Sequence, residues 1–473
     1  MSGNGAGFKP SLGLLDATMV VAGSMIGSGI FIVSADIARN VGSSGWLILV
    51  WLIAGFMTIT AALCYGELSG MFPKAGGQYV YLKEAYNPLV GFLYGWSFFA
   101  VIQTATIAAV GVAFSKFLAY LIPSLGPEHI VFSSGDFSLH AGQFVSIALI
   151  LLLTYINTRG IQAGKFIQNL FTGTKLIALF ALIIFGFILV KGSDIWAANW
   201  TDPWAMHSRD SNTGLSAGQI TGLVGILSAL AAAMVGSIFS SDAWNNVTFI
   251  AGEVKNPHRN IGLSLFLGTL LVTVIYTLAN LMYTYTLPLE AIATAPQDRV
   301  AVAASKVIFG ELGTAIIAFL IMVSTFGCNN GLILSGARVY YTMAQDGLFF
   351  KQTALLNKNG VPEFALWIQF VVASVLCLSG KYGDLLDMIS LVAVMFYAVT
   401  IWGIFRLRRK MPDAPRPYRA FGYPWLPLIY IFMAVSFCLL LIKVKPQYTW
   451  PGLIIVLTGI PIYYVAVRNK NKS

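Results

Sequence analysis

The sequence predicts an all-α polytopic membrane protein with twelve transmembrane helices. Of its 473 residues, 57% are hydrophobic and only 10% are charged, too little charge for the surface of a soluble chain of this length. Apolar runs of about 20 residues recur along nearly the whole sequence, and each can cross a hydrocarbon core of roughly 30 Å. A transmembrane β-barrel is excluded, because its strands would give alternating segments of about ten residues.

Twelve spans, separated by Gly, Pro and clusters of charge, account for these apolar runs. The third and eighth are longer than a bilayer requires, so we expect them to tilt or protrude. In chain order the spans cover residues 12–38, 44–71, 88–122, 140–158, 165–191, 216–251, 261–287, 311–343, 362–380, 384–408, 422–442 and 450–467.

The distribution of Lys and Arg predicts that both termini are cytoplasmic. In this orientation 19 basic residues fall on inner segments, eight on outer segments, and two, Lys116 and Lys175, within spans. Such an excess in short inner loops is typical of membrane proteins. The net charge of +10 therefore indicates topology and contact with the anionic lipid bilayer, and no nucleic-acid partner is expected. The N-terminus lacks a basic cluster and a cleavage site, so we expect no cleaved signal peptide. The expected location is the cell (inner) membrane.

The stretch "VVAGSMIGSGIF", Val20–Phe31, places three Gly and two Ser within seven residues near the middle of span 1. Gly costs about 1 kcal/mol against Ala in a helix, so local unwinding is cheap here. Unwound backbone is tolerated in a membrane only where it faces protein or a wet cavity. The amides of unwound backbone attract an anion, and its carbonyls attract a cation. An α-amino acid carries both an anionic carboxylate and a cationic ammonium. The alternative is a close-packing face, since Gly23 and Gly27 have Gly-xxx-Gly spacing.

A second interruption occurs five spans later, in "VGSIFSSDAW" of span 6. Gly23-Ser24 of span 1 matches Gly236-Ser237 of span 6, and the two parent helices run in opposite directions. This pattern is expected for an inverted repeat of five helices plus five, and it favours binding over simple packing. The predicted units are 1–192 for the first repeat, 193–410 for the second, and 411–473 for helices 11 and 12.

Three motifs carry a resemblance to a known family. "GSMIGSGIF", "YGELSGMFPKAGGQYVYLKEAYNP" at Tyr65–Pro88 and "AWNNVTFIAGEVKNPHRNI" at Ala243–Ile261 resemble the amino acid–polyamine–organocation (APC) superfamily, and within it the L-type amino acid transporter (LAT) family. The resemblance covers essentially the whole chain. It implies a LeuT-type inverted-repeat fold with discontinuous helices 1 and 6, and an antiporter that needs no cofactor.

The resemblance also implies a substrate site made from both interruptions. The amides around Ser28 and Gly29 would hold the substrate carboxylate, and the Met25 carbonyl would accept from the α-ammonium. Carbonyls of Phe239 and Asp242 would complete the ammonium site, with the Phe239 ring as a gate above the substrate. The residues predicted to bind substrate are Ser24, Met25, Ile26, Gly27, Ser28, Gly29, Phe239, Ser240, Ser241, Asp242 and Asn245.

The sequence departs from the LAT pattern in two places. Animal members carry a cysteine between helices 3 and 4 that bonds a glycoprotein partner, whereas "IPSLGPEHIVFSSGDFSLH" has none, so we expect a prokaryotic protein without a covalently linked heavy chain. Second, Asp242 stands where the family often has glycine. It could cap the second half-helix of span 6 or contact the substrate or Lys175, and both roles can coexist.

Lys175 lies ten residues past Lys165 at the inner edge of span 5, roughly 15 Å along a helix. A charge near the bilayer midplane costs about 2.5 kcal/mol or more, which by default indicates function. By resemblance, its ammonium would replace the cation of sodium-coupled relatives. The alternatives are a purely structural lysine or one whose protonation is coupled to transport.

These observations predict a secondary transporter that exchanges neutral L-amino acids by alternating access without sodium. Proton-coupled symport is the rival mechanism, and a membrane amino acid sensor is the rival from a different class. An enzyme would need a nucleophile and base, or metal ligands, at one depth. The sequence offers no such group and no metal-ligand spacing, so neither catalysis nor a metal site is expected.

Overall fold

The computed structural model describes residues 10–126, 129–134, 137–379 and 382–470. Within these residues, eleven helices are long and apolar enough to cross a membrane, and a further apolar helix, Glu363–Leu378, is shorter. The predicted all-α polytopic fold class is confirmed. The predicted cytoplasmic segment before Pro10 lies outside the described residues.

The first half of the chain is helical apart from one hairpin. A π-helical turn, Phe98–Ile102, joins the helices Pro88–Ser97 and Gln103–Leu121, so that the third predicted span is one continuous element. In chain order the helices are α1 (Leu14–Met25), α2 (Gly29–Ile32), α3 (Ser34–Val41), α4 (Ser44–Met71), α5 (Gln78–Ala85), α6 (Pro88–Ser97), α7 (Gln103–Leu121), α8 (Ala141–Thr158) and α9 (Ile161–Leu189), with β1 (Ile130–Ser134) and β2 (Phe137–His140) forming an antiparallel hairpin before α8.

The second half repeats this helical character and contains a second hairpin. Its helices are α10 (Ser193–Asn199), α11 (Leu223–Ser240), α12 (Asn246–Phe249), α13 (Pro257–Thr286), α14 (Leu289–Ala293), α15 (Val300–Gln345), α16 (Glu363–Ser379), α17 (Tyr382–Lys410), α18 (Trp425–Val444) and α19 (Pro446–Lys470), with β3 (His207–Arg209) and β4 (Ser216–Gln219) antiparallel between α10 and α11. Short 3₁₀ turns cover Pro123–Leu125, Ala251–Glu253, Pro296–Asp298 and Lys351–Ala354.

Local backbone geometry explains the starts of two of the predicted spans. Span 6 was expected to start at residue 216, but β4 occupies that stretch and the helix begins at Leu223. Gly222, with φ of 76°, makes the turn between them, a conformation that glycine adopts without strain. The eighth span was predicted to start at residue 311, whereas α15 begins at Val300; Gly310, with φ of 69°, interrupts the helix directly before the predicted start.

The helices pack in pairs that an inverted repeat would produce. The second predicted span, α4, packs extensively against the seventh, α13, and the third, α7, against the eighth, α15. The fourth, α8, likewise packs against the ninth, α16. Spans 2, 3 and 4 thus lie beside their counterparts from the other half, as a two-fold relation between the halves predicts. The residue limits of the repeats stay a prediction.

We call the side of the bundle where α1 begins and α19 ends the terminal face, and the other side the opposite face. On the terminal face, Glu67 of α4 accepts two hydrogen bonds from Arg408, at 3.0 and 2.7 Å, and lies 3.3 Å from Arg416. Glu253 and Arg338 form a second ion pair, at 3.1 Å, with both side chains buried. The first pair joins α4 to α17, and the second joins the 3₁₀ turn Ala251–Glu253 to α15 on this face.

Candidate functional site

The interruption predicted in span 1 is present in the structure. Helix α1 ends at Met25 and α2 begins at Gly29, with Ile26 in a non-helical conformation between them (φ −75°, ψ 85°). The residues from Ser24 to Gly29 are all buried, so the unwound backbone faces protein rather than lipid. We call Ile26–Ser28 the first break.

Side chains from distant helices bind the carbonyls that the first break releases. The Lys175 ammonium, on α9, donates to the carbonyls of Gly23 at 2.8 Å and Ile26 at 2.6 Å. The Cys328 thiol, on α15, donates to the Ser24 carbonyl at 3.1 Å. A helix end without such partners would leave buried carbonyls unsatisfied, so these contacts stabilise the break.

The Met25 carbonyl accepts two hydrogen bonds within the protein. One comes from the Gly27 amide at 2.8 Å and the other from the Tyr276 hydroxyl of α13 at 2.9 Å. A carbonyl oxygen has two lone pairs, and both have donors here. An α-ammonium could reach this predicted acceptor only if one of these donors moved away.

The interruption predicted in span 6 is also present. Helix α11 ends at Ser240 and α12 begins at Asn246, and Ala243 between them has a φ of 61° that is unusual for a residue with a side chain. We call Ser241–Asn245 the second break. As in the first break, all its residues are buried.

The Asp242 carboxylate lies inside the second break without capping α12. The N-cap residue of α12 is Asn245, so the predicted capping role of Asp242 is wrong. Instead, Asp242 accepts a hydrogen bond from the Tyr397 hydroxyl of α17 and another from the backbone amide of Ala243. Lys175 is engaged elsewhere, by Gly23 and Ile26.

The helix ends that flank the two breaks touch at a glycine. A Cβ atom built on Gly29 would lie 1.9 Å from Ser240 Oγ and 2.6 Å from its Cβ, so only glycine permits this approach. One turn of α11 earlier, a Cβ on Gly236 would lie 2.2 Å from Val33 Cγ1. The fold therefore brings together the two segments that the sequence analysis selected.

The remaining predicted residues lie around this contact. Phe239 is buried on α11, and it follows Val235 by four residues, which places both on one face of the helix. The Asn245 amide donates to Gln78 Oε1 on α5 at 3.0 Å. Asp242 and Asn245 line a narrow cavity of about 10 Å³, room for about one water molecule.

A much larger cavity, of about 420 Å³, opens on the opposite face. Val33, Val235 and Gly236 line its deep end, directly before the Gly29–Ser240 contact. We call it the vestibule. Among its described lining residues are three acidic and three basic side chains, Asp36, Asp298 and Asp387 together with Arg39, Lys116 and Lys445.

Three contributors to this region were missed by the sequence analysis: Tyr276, Cys328 and Tyr397. Tyr276 is 251 residues from Met25 in sequence, Cys328 is 304 residues from Ser24, and Tyr397 is 155 residues from Asp242. Each of the three lies in an apolar helix. A tyrosine in the middle of a span is a usable signal, because its hydroxyl needs a partner when buried. The cysteine gives no comparable signal.

The fold and the two breaks define a polytopic membrane protein built like a secondary transporter, with discontinuous helices meeting at its centre. Residues 12–467 match the amino acid permease family, and the chain belongs to that family. The predicted amino acid transporter class, within the APC superfamily, is thereby confirmed.

Curated relatives are similar to almost the whole chain. The human large neutral amino acids transporter small subunit 2 is 29% identical over 99% of this chain and 83% of its own length. The mouse Asc-type amino acid transporter 1 is 29% identical, over 98% and 82% respectively. The human b(0,+)-type amino acid transporter 1 is 26% identical, over 98% and 89%.

Proposed function

We propose that this protein is a sodium-independent exchanger of neutral L-amino acids, a prokaryotic member of the LAT family. It would reside in the cell (inner) membrane with the terminal face in the cytoplasm, as the excess of basic residues on inner segments suggests. In this orientation the vestibule opens to the outside. Access would alternate between the two faces around the breaks.

The observation that carries this proposal is the fixed ammonium beside the first break. Lys175 is fully buried and donates to carbonyls on both sides of Met25. Carbonyls at a helix C-terminus are where a coupling cation is held in transporters with broken helices. An ammonium at these carbonyls supports transport without sodium.

The substrate headgroup is assigned to the contact region of the breaks. The amides of Ser28 and Gly29 would bind the carboxylate, and carbonyls of Phe239 and Asp242 would accept from the ammonium. Phe239 would act as the gate between this region and the vestibule. Met25 is less suited to the ammonium, because its carbonyl already accepts from Gly27 and Tyr276.

We further propose that the protein works without a covalently linked heavy chain. The human relative is named a small subunit. In this chain the segment between α7 and α8 contains no cysteine that could bond a partner. Non-reducing electrophoresis of the protein from its native membrane would reveal any disulfide-linked partner. We expect the same band with and without reductant, and a band that shifts on reduction would contradict the proposal.

Exchange can be tested in liposomes that contain the purified protein. Liposomes are loaded with one unlabelled amino acid, and uptake of each labelled neutral amino acid is measured in sodium-free buffer. We expect uptake to require internal amino acid and to be unchanged when sodium is added. Protein-free liposomes provide the background.

The same experiment separates the rival functions. Proton-coupled symport is the second candidate, because the buried Asp242 carboxylate in the second break is a group that could carry a proton. Uptake driven by an imposed pH gradient without internal substrate would support symport and contradict exchange. Saturable binding of the labelled amino acid with no flux under either condition would indicate a sensor.

A further inference from the structure

Basic residues are concentrated where α17 ends and the chain turns towards α18 on the terminal face. Six Lys and Arg fall within residues 406–419, and the only carboxylate in that stretch is Asp413. We call residues 406–425 the basic loop. It includes the last turn of α17 and the first residue of α18.

A buried carboxylate fixes the conformation of the basic loop from within. Glu67 of α4 is 1% exposed and forms ion pairs with Arg408 at 2.7 Å and Arg416 at 3.3 Å. It also accepts from the Ala420 amide at 2.7 Å. Two of the six cations are thereby neutralised, and the loop that carries the other four is held in place before any ligand arrives.

The four remaining cations point outward and keep most of their charge. They are Arg406, Arg409, Lys410 and Arg419, all of them exposed. Arg406 donates to the Ala85 carbonyl at 3.3 Å and Lys410 to the Glu84 carbonyl at 2.9 Å, which are neutral acceptors. The Asp413 and Glu84 carboxylates leave positive charge in excess, so this surface attracts an anion.

The cations of α17 continue an exposed stripe that begins inside the bilayer. Trp402, Arg406 and Arg409 follow one another at the spacing of a single helix face, and Lys410 lies beside them. Trp402 is 47% exposed, and its ring lies 5.3 Å from that of Phe405. The stripe therefore changes from apolar to basic along its length.

Aromatic side chains of the loop and of α18 extend the apolar part. The Tyr423 ring lies 5.0 Å from Phe405 and 3.6 Å from the Arg408 guanidinium. Phe421 is 69% exposed and Trp425 is 72% exposed. Tryptophan is enriched at the boundary between lipid and water, which places the cations at the level of the phosphates.

We propose that the basic loop binds an anionic phospholipid, with the phosphate at Arg406, Arg409 and Lys410 and the acyl chains along Trp402 and Trp425. A soluble anion would use only the basic part of this surface, whereas a phospholipid uses both parts. The proposal goes beyond amino acid transport and does not depend on it.

The test is native mass spectrometry of the purified full chain in maltoside micelles during titration with phosphatidylglycerol. Phosphatidylcholine with the same acyl chains is the neutral comparison. The loop variant carries Arg406→Gln, Arg409→Gln and Lys410→Gln. The matched control carries Arg259→Gln, Lys351→Gln and Lys358→Gln, three exposed basic residues of the terminal face outside the basic loop.

We expect the first phosphatidylglycerol to bind wild type about tenfold more tightly than phosphatidylcholine does, or better. Each Lys or Arg near an anionic headgroup contributes about fivefold, so the loop variant should lose about a hundredfold in affinity for phosphatidylglycerol. The single change Arg409→Gln should lose about fivefold, and the control should stay within about threefold of wild type.

Three results would overturn the proposal. Equal affinity of wild type for the two lipids would remove the role of charge. An equal loss in the control and the loop variant would mean that the whole terminal face attracts anions without a site in the basic loop. Displacement of phosphatidylglycerol by excess inorganic phosphate would assign the cations to a soluble anion instead.

Discussion

Replacing Lys175 by Met should nearly abolish exchange. Methionine keeps much of the side-chain volume but removes the ammonium that donates to Gly23 and Ile26, at 2.8 and 2.6 Å. Each charge-assisted hydrogen bond contributes about 1.5 to 3 kcal/mol, so the two together contribute about 3 kcal/mol or more. This corresponds to about a 150-fold loss of the competent conformation, since 1.4 kcal/mol is tenfold.

The measurement is the initial rate of homo-exchange in liposomes at equal amounts of reconstituted protein. Lys116→Met is the matched control, because Lys116 is the other lysine predicted within a span and it lines the vestibule. Its rate should stay within about threefold of wild type. Size-exclusion profiles of both variants establish that they are folded. If the folded Lys175→Met protein exchanged at the wild-type rate, the ammonium would have no part in the transport cycle.

Two further substitutions test the break region in the same assay. Gly29→Ala should reduce the exchange rate more than about a hundredfold, because its Cβ would lie 1.9 Å from Ser240 Oγ. Gly173→Ala is the control and should be close to wild type, because nothing lies within 4 Å of a Cβ there. An active, folded Gly29→Ala protein would show that this close contact is not required. Asp242→Asn should exchange at a rate within about fivefold of wild type, because the amide oxygen can still accept from Tyr397. A loss of more than about a hundredfold would instead mean that the carboxylate charge contacts the substrate or binds a transported proton.

The positions of both breaks could be predicted because their cause is local. Gly and Ser between Gly23 and Gly29 weaken the helix wherever the segment is placed, and the structure unwinds it at Ile26–Ser28. Lys175 could be singled out for a similar reason, since a charge inside an apolar span requires partners. Its actual partners, two backbone carbonyls, follow from the unwinding itself.

The partners of the breaks could not be predicted because they depend on packing between distant helices. Tyr276 and Cys328 sit in spans whose hydropathy is ordinary, and their contacts with α1 arise only when α13 and α15 lie against it. The capping alternative for Asp242 is wrong for the same reason. Its hydrogen-bond donor, Tyr397, is 155 residues away in sequence, and α12 begins at Asn246 rather than directly after Asp242.

The vestibule has a consequence for how solutes arrive. Its described lining carries equal numbers of acidic and basic side chains, so its field offers little net attraction to an ion of either sign. A zwitterion should therefore enter at a rate that changes little between low and high ionic strength, unlike a solute steered by a charged funnel. Discrimination among solutes is then left to the close-packed region beneath the vestibule, beside the Gly29–Ser240 contact.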